Sequence, residues 1–281
     1  MSSFNLSLFD FSGFAARTDV EKEGWSVLFD RLKKKQTDFL KYEGEFRSNN
    51  YQWPRDPLHT WSRLWEYPYV YHHIKKIRDQ KIGEKLQITD FGSGVTFFPF
   101  AVAQLGCDVI CADIDPVVAV DIPAAAKSVQ FAPGTIDGTL IENGRIPVEP
   151  ESQDIVYCVS VIEHIPNFAS VIDEMVRVLK PDGQLILTVD IDLQGNYELG
   201  IDEFEHLQSI LDVHFTKKLT ERAVHPSNML TTMNSPYCMR KWSPYYALER
   251  LLKGCLRGKL VLVGPTDLLI LAVYAGIFVK R

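Results

Sequence analysis

A chain of 281 residues with 46% hydrophobic and 11% aromatic side chains holds enough material for one enlarged domain with a full core, which excludes wholesale disorder. The formal net charge of -6 offers no electrostatic footing for a phosphate backbone, so no nucleic-acid partner is expected. Five scattered cysteines, Cys107, Cys111, Cys158, Cys238 and Cys255, lack zinc-ligand spacing, and the chain reads as a reduced, cytoplasmic protein without a metal.

Residues 1–80 read as helices and loops that form a helical, aromatic N-terminal cap. Met1 to Phe14 carries no basic residue ahead of its apolar positions, so it does not read as a signal peptide. Trp25, Leu28, Phe29 and Leu32 recur at helical spacing, which places Lys33, Lys34 and Lys35 on a solvated face. A dense aromatic patch follows: Tyr51, Trp53, Trp61, Trp65, Tyr67, Tyr69 and Tyr71. Between Pro54 and Pro68 the chain reads as irregular, and Pro68 is expected to open a helix with Val70, Ile74 and Ile77 on one face.

From residue 86 short apolar runs alternate with helical stretches. Strands are expected at Leu86–Phe91, Asp108–Asp113, Ser128–Phe131, Asp154–Val159 and Gln184–Val189, and helices at Thr96–Gln104, Val171–Leu179 and Glu203–Val213. Such alternation implies right-handed crossovers and a doubly wound, mostly parallel sheet covered on both faces. If His214–Val224 supplies a sixth strand and Leu268–Lys280 an antiparallel seventh, residues 225–265 form an insertion between them, with a helix at Tyr245–Leu256. The domain is then residues 81–281, with this insertion as a lid over the acceptor. The longest apolar run, Leu268 to Phe278, is about half the ~20 residues of a membrane span, so no membrane partner is expected.

The first expected strand ends in Asp90-Phe91-Gly92-Ser93-Gly94, a Gly-x-Gly turn feeding a helix, which lets backbone approach a ligand closely. Nineteen residues beyond Gly94 stands Asp113, at the end of the second strand. It either accepts bonds from both hydroxyls of a ribose or caps the following helix. The fourth strand leads into Ser160-Val161-Ile162-Glu163-His164-Ile165-Pro166, and Leu179-Lys180-Pro181-Asp182-Gly183 leads into the fifth.

On these residues the chain resembles the class I (Rossmann-like) S-adenosylmethionine-dependent methyltransferases, in the broad group with an Asp-x-Gly-x-Gly turn and a Glu-His-x-Pro segment. The resemblance covers about residues 85–190. It implies a seven-stranded α/β sheet with an antiparallel last strand and S-adenosylmethionine as cofactor. It further implies a cofactor site made by Asp90, Gly92, Ser93, Gly94, Asp113, Ile114 and Ser160. The acid that faces the adenine is Glu142 or Asp137. Arg63 and Tyr67 are expected at the cofactor mouth, where Arg63 can pair with a carboxylate. A nicotinamide dehydrogenase fits poorly, because Phe97 stands where a third glycine would be and Asp90 would repel a pyrophosphate.

Methyl transfer from a sulfonium asks the protein mainly to align the acceptor and exclude water. His164, after the fourth strand, either removes an acceptor proton or packs against the next helix. Asp190 and Asp192 follow the fifth strand at the same rim, where Asp190 is a second catalytic candidate. The expected acceptor is a small molecule or glycan, methylated on O, N or C. Two other readings stand beside it: a non-catalytic cofactor-binding partner subunit, and a protein or nucleic-acid methyltransferase. Against the last, no Asn-Pro-Pro-Tyr type tetrapeptide follows the fourth strand. The oligomeric state is not readable from the sequence.

Overall fold

Trp65, Tyr69 and Tyr71, three of the aromatics that crowd the N-terminal segment, are each at most 2% exposed. They are core, not surface. The computed structural model describes residues 8–51, 54–81, 83–129, 134–195, 199–238, 248, 251 and 269–281. Strand β1 (Ser12–Phe14) comes first. Helix α1 (Glu23–Leu40) buries Leu28, Phe29, Leu32 and Phe39 and leaves Lys33 and Lys34 in solvent, as its apolar spacing requires. After the short α2 (Glu43–Phe46) comes α3 (Arg63–Gln80), which begins ahead of the expected start and carries Pro68 inside it. A proline there leaves the carbonyl four residues back without its helical donor. The Trp25 indole N–H supplies one, donating to Leu64 O at 2.9 Å. That contact lets the helix run through the proline.

The remaining elements are β2 (Gln87–Phe91), α4 (Phe98–Ala103), β3 (Asp108–Asp113), α5 (Val117–Ser128), β4 (Ile136–Leu140), β5 (Gln153–Val159) and α6 (Phe168–Val178). They end with β6 (Leu179–Asp192), α7 (Ile201–His214), β7 (Phe215–Lys217), β8 (Glu221–Arg222) and β9 (Leu271–Lys280). Strands β4, β3, β2, β5 and β6 lie side by side and parallel, and β9 runs antiparallel beside β6. Successive side chains serve opposite faces. Ile155 and Tyr157 join the core under the N-terminal helices, whereas Val156 and Cys158 join the core that includes Ile172 and Leu207. Cys107, Cys111 and Cys158 are buried free thiols that pack as small hydrophobes.

Two expectations need correction. The third parallel strand is Ile136–Leu140; of the expected Ser128–Phe131, Ser128 ends α5, Val129 is its buried C-cap, and residues 130–131 lie outside the described residues. Among the described residues the sheet has nine strands, where seven were expected. The slot expected for strand six is held by β7 only against Phe278–Lys280 of β9, and further along β1 takes over, pairing Gly13 with Ala275 and Phe14 with Tyr274. Displaced from β9, β8 pairs with β1 instead. At φ +132°, Gly13 passes so close to β8 that a Cβ would stand 2.7 Å from the Arg222 carbonyl oxygen.

The first part of the 225–265 segment folds back onto the sheet. Leu230 N–H donates to Ala15 O at 2.8 Å, and Thr232 Oγ1 donates to Leu269 O at 2.6 Å. Ser235 Oγ donates to Trp61 O at 2.9 Å. Most of the Tyr245–Leu256 stretch lies outside the described residues. Among the described residues no helix is long and apolar enough to cross a membrane.

Candidate active site

The parallel strands deliver their C-terminal ends to one rim, the side on which doubly wound sheets bind ligands. There the chain leaves β2 through Gly92 at φ +70° and Gly94 at φ +51°. Gly92 is pinned by Val161, since a Cβ would stand 2.5 Å from its Cγ2. Any side chain at 92 would push the loops after β2 and β5 apart. Asp113, at the end of β3, accepts the Gly94 N–H on Oδ2 at 2.9 Å and the Asp115 N–H on Oδ1 at 3.0 Å. The start of α5 is served by Asp115, whose Oδ1 accepts the Val117 N–H at 2.9 Å. Asp113 is thereby spared the capping role and borders the cavity.

That cavity has a volume of about 530 Å³. Arg63, Tyr67, Asp90, Gly92, Ser93, Asp113, Ile114, Ser160, His164 and Asp190 all line it. Ten of the residues singled out in the sequence, drawn from α3, β2, β3, β5 and β6, thus meet around one space. Gly94 stands behind the wall, tied to Asp113. Glu142 is exposed and bridges to Arg145, while its neighbour Ile141 forms the wall. Asp137 is exposed and accepts the Gly138 N–H. Asp192 is buried beyond the lining, accepting the Gln194 N–H. Tyr51 donates its hydroxyl to Val95 O, and Trp53 lies outside the described residues.

Charge at the floor of this cavity is dense. Asp90 is 4% exposed and accepts the Tyr157 hydroxyl at 2.8 Å. Burial, with the nearby Asp113 carboxylate, pushes its pKa up to about 8. Glu66, fully buried on α3, takes the Ser160 hydroxyl at 2.6 Å and the Thr188 hydroxyl at 2.5 Å on Oε1, and the Arg63 guanidinium on Oε2. Burial opposes the Arg63 charge, but Glu66, Tyr67 and Asp190 more than restore it. Glu163 offers Oε1 to the Asp190 N–H at 3.4 Å. Burial, then the Asp190 carboxylate, holds its carboxyl well above the usual range. Ser160, at the centre, sits at φ +47°, a strained conformation for a serine.

Glu66 was not singled out by sequence reasoning, and Glu163 only as part of the Glu-His-x-Pro segment, without a role of its own. For Glu66 the signal was present: a lone carboxylate inside Leu64-Trp65-Glu66-Tyr67 must be paired if that run is core. Trp61, Pro54 and Pro57 also border the cavity, and none of residues 225–238 does.

Residues 89–187, from β2 into β6, match the family model described as "Methyltransferase domain". Over these residues the chain carries a methyltransferase domain. This methyltransferase is 26% identical over 176 residues to "Ubiquinone biosynthesis O-methyltransferase" of Pseudomonas fluorescens (strain SBW25), covering 59% of this chain and 68% of the relative. It is 29% identical over 169 residues to the mitochondrial protein of that name from Rattus norvegicus, covering 55% and 46%. Among solved structures, magnesium protoporphyrin IX methyltransferase (ChlM) from Synechocystis PCC 6803, with bound SAM, aligns at 15% identity and a TM-score of 0.48. That alignment covers 92% of this chain and 97% of ChlM. The cavity's donor set fits S-adenosylmethionine. Paired carboxylate oxygens border it at Asp113, an apolar Ile114 side chain stands 78% exposed at its edge, and buried Asp90 can answer a cation.

Proposed function

We propose that the methyltransferase acts on a hydroxyl oxygen of a small-molecule acceptor, with His164 and Asp190 handling that hydroxyl. The observation that carries this reading is the shared cavity: His164 and Asp190 border the same space as Asp113 and Gly92. When bound, the cofactor supplies an electrophilic methyl on a sulfonium. Asp113 would hold the ribose through its two oxygens, Gly92, Ser93 and Gly94 would admit the methionine part, and Ile114 and Ile141 would meet the adenine. Asp90 meets the methionine ammonium and Arg63 its carboxylate. Trp61, Pro57 and Tyr67 close the mouth and keep water out. His164 would take the proton from the acceptor hydroxyl, and Asp190 would accept a bond from a neighbouring hydroxyl, fixing the line of approach. The 26% relatives named O-methyltransferases support oxygen as the methylated atom.

The test is S-adenosylhomocysteine formation with matched phenolic, sugar and amine acceptors. Hydroxyl compounds should turn over, and His164→Ala should lower kcat about 10²–10⁴-fold while leaving cofactor affinity nearly unchanged. Turnover confined to amines, or a fully active His164→Ala, would remove the hydroxyl reading.

A further inference from the structure

Helix α3 inserts one carboxylate, Glu66, into a ring of groups contributed by two strands. Its Oε1 collects hydroxyls from Ser160, just past β5, and Thr188, within β6, while its Oε2 takes Arg63 one turn earlier on α3. Ser160 Oγ also lies 3.3 Å from Asp190 Oδ1. We propose that Glu66 is a positioning residue for methyl transfer, fixing Arg63 and Ser160 on either side of the Asp190 carboxylate that faces the acceptor.

The geometry requires such a device. Ser160 is left-handed at φ +47°, and a strained residue persists only where its surroundings over-determine it. Glu66 supplies one anchor and the Ser160 N–H bond to Thr188 O at 3.0 Å another. Arg63 is drawn electrostatically toward Asp190 as well as Glu66. Glu66 therefore decides which carboxylate the guanidinium serves. Arg63 from α3 and Ser160 and Glu163 beyond β5 stand against Asp190, Glu66 bonds both Arg63 and Ser160, and His164 lines the same cavity. Three carboxylates, Glu66, Glu163 and Asp190, stand around one guanidinium. Removing the charge of Glu66 takes away a repulsion and releases a cation, and both favour the ionised form of the Glu163–Asp190 pair.

The proposal rests on Asp190 facing the acceptor, so two measurements are paired. In the first, kcat and cofactor Kd are determined for Glu66→Gln, Asp190→Asn and the double variant of the full chain. Glu66→Gln should lower kcat roughly 10- to 100-fold and, through Arg63, weaken cofactor binding by a smaller factor, and the double variant should be no slower than Asp190→Asn. In the second, carboxyl titration is followed by infrared difference spectroscopy on protein saturated with S-adenosylhomocysteine, with no acceptor present. Glu66→Gln should move ionisation of the Glu163–Asp190 pair to lower pH. Thr188→Val, which removes one hydrogen bond from Glu66 and suits a strand, should move kcat and titration in the same directions by a smaller factor, and it carries the test if Glu66→Gln does not fold. Losses that multiply in the double variant, an unmoved titration, or a cofactor Kd that worsens as much as kcat would overturn the assignment. Failure of every hydroxyl acceptor alongside a shifted titration would remove the acceptor reading and leave the positioning role of Glu66 intact.

Discussion

Asp113 shows how the site is prepared at the scale of one residue. Two backbone N–H groups hold its carboxylate at the cavity's edge, and an ionised carboxyl keeps acceptor capacity beyond those two bonds. Asp113→Ala should weaken S-adenosylmethionine binding roughly 30- to 150-fold, about 2–3 kcal/mol, by calorimetry. Unchanged affinity would break the ribose assignment. Asp90 gives a pH signature. With a pKa near 8 it is protonated in the free protein at neutral pH, and a bound ammonium favours its ionised form. Cofactor affinity should therefore rise with pH up to about 8 and level off above it, with proton release visible in buffers of different ionisation enthalpy. Asp90→Asn should flatten that dependence. A profile that is flat in the wild type would show that Asp90 meets no cation.

At the scale of elements, the legible parts were those whose chemistry is local. The Gly92 and Gly94 turn, Asp113 and the buried strands announce themselves because close backbone approach and two-faced burial restrict residue choice over a few neighbouring positions. Strand β4 was missed because Ile136-Asp137-Gly138-Thr139-Leu140 lies at the sheet edge and is largely polar, whereas the apolar Val129 before it belongs to a helix end. The early start of α3 was missed because the donor that satisfies Leu64 O is Trp25, 39 residues away. Ion pairs across the fold are equally silent in sequence. Arg222 donates both terminal nitrogens to Asp19, a third bond to Phe14 O, and stacks 3.4 Å over the Phe11 ring. Burial works against the Asp19 charge, but Arg222, the Ala16 N–H and Lys22 outweigh it and hold its pKa below the usual value. Its contribution to stability is present above the unfolded carboxylate pKa and is lost as pH falls through the lowered folded value. Arg222→Met should cost roughly 1.5–3 kcal/mol in denaturant unfolding at neutral pH, by removing the charge-assisted bonds of Arg222 and leaving the buried carboxylate to Lys22, Trp65 and the Ala16 N–H. A loss under 1 kcal/mol would show the pair to be dispensable.

Across the whole molecule, the N-terminal segment does two jobs that its sequence presents as one. Its β1 occupies a sheet slot that β7 leaves empty beyond Lys217, while Pro54, Pro57, Trp61, Arg63 and Tyr67 border the cavity. Because β1 is paired on both sides, deletion of residues 1–22 should abolish cooperative thermal unfolding, not merely weaken cofactor binding. A truncated chain with a native-like transition would mean that β1 is peripheral. The same weave joins the two halves of the site, since α3 carries Arg63 and Glu66 to the strand ends that hold Ser160, His164 and Asp190. In the proposed function, this one cavity brings S-adenosylmethionine to a small hydroxylated acceptor. The most direct measurement is to supply S-adenosylmethionine bearing a deuterated methyl group together with a fractionated metabolite extract, and to follow the label by mass spectrometry. The intact labelled methyl should appear on an oxygen of a small molecule, in step with S-adenosylhomocysteine, and its formation should slow about 10²–10⁴-fold in His164→Ala. Label recovered only on protein or nucleic acid, or cofactor bound without any transfer, would contradict it.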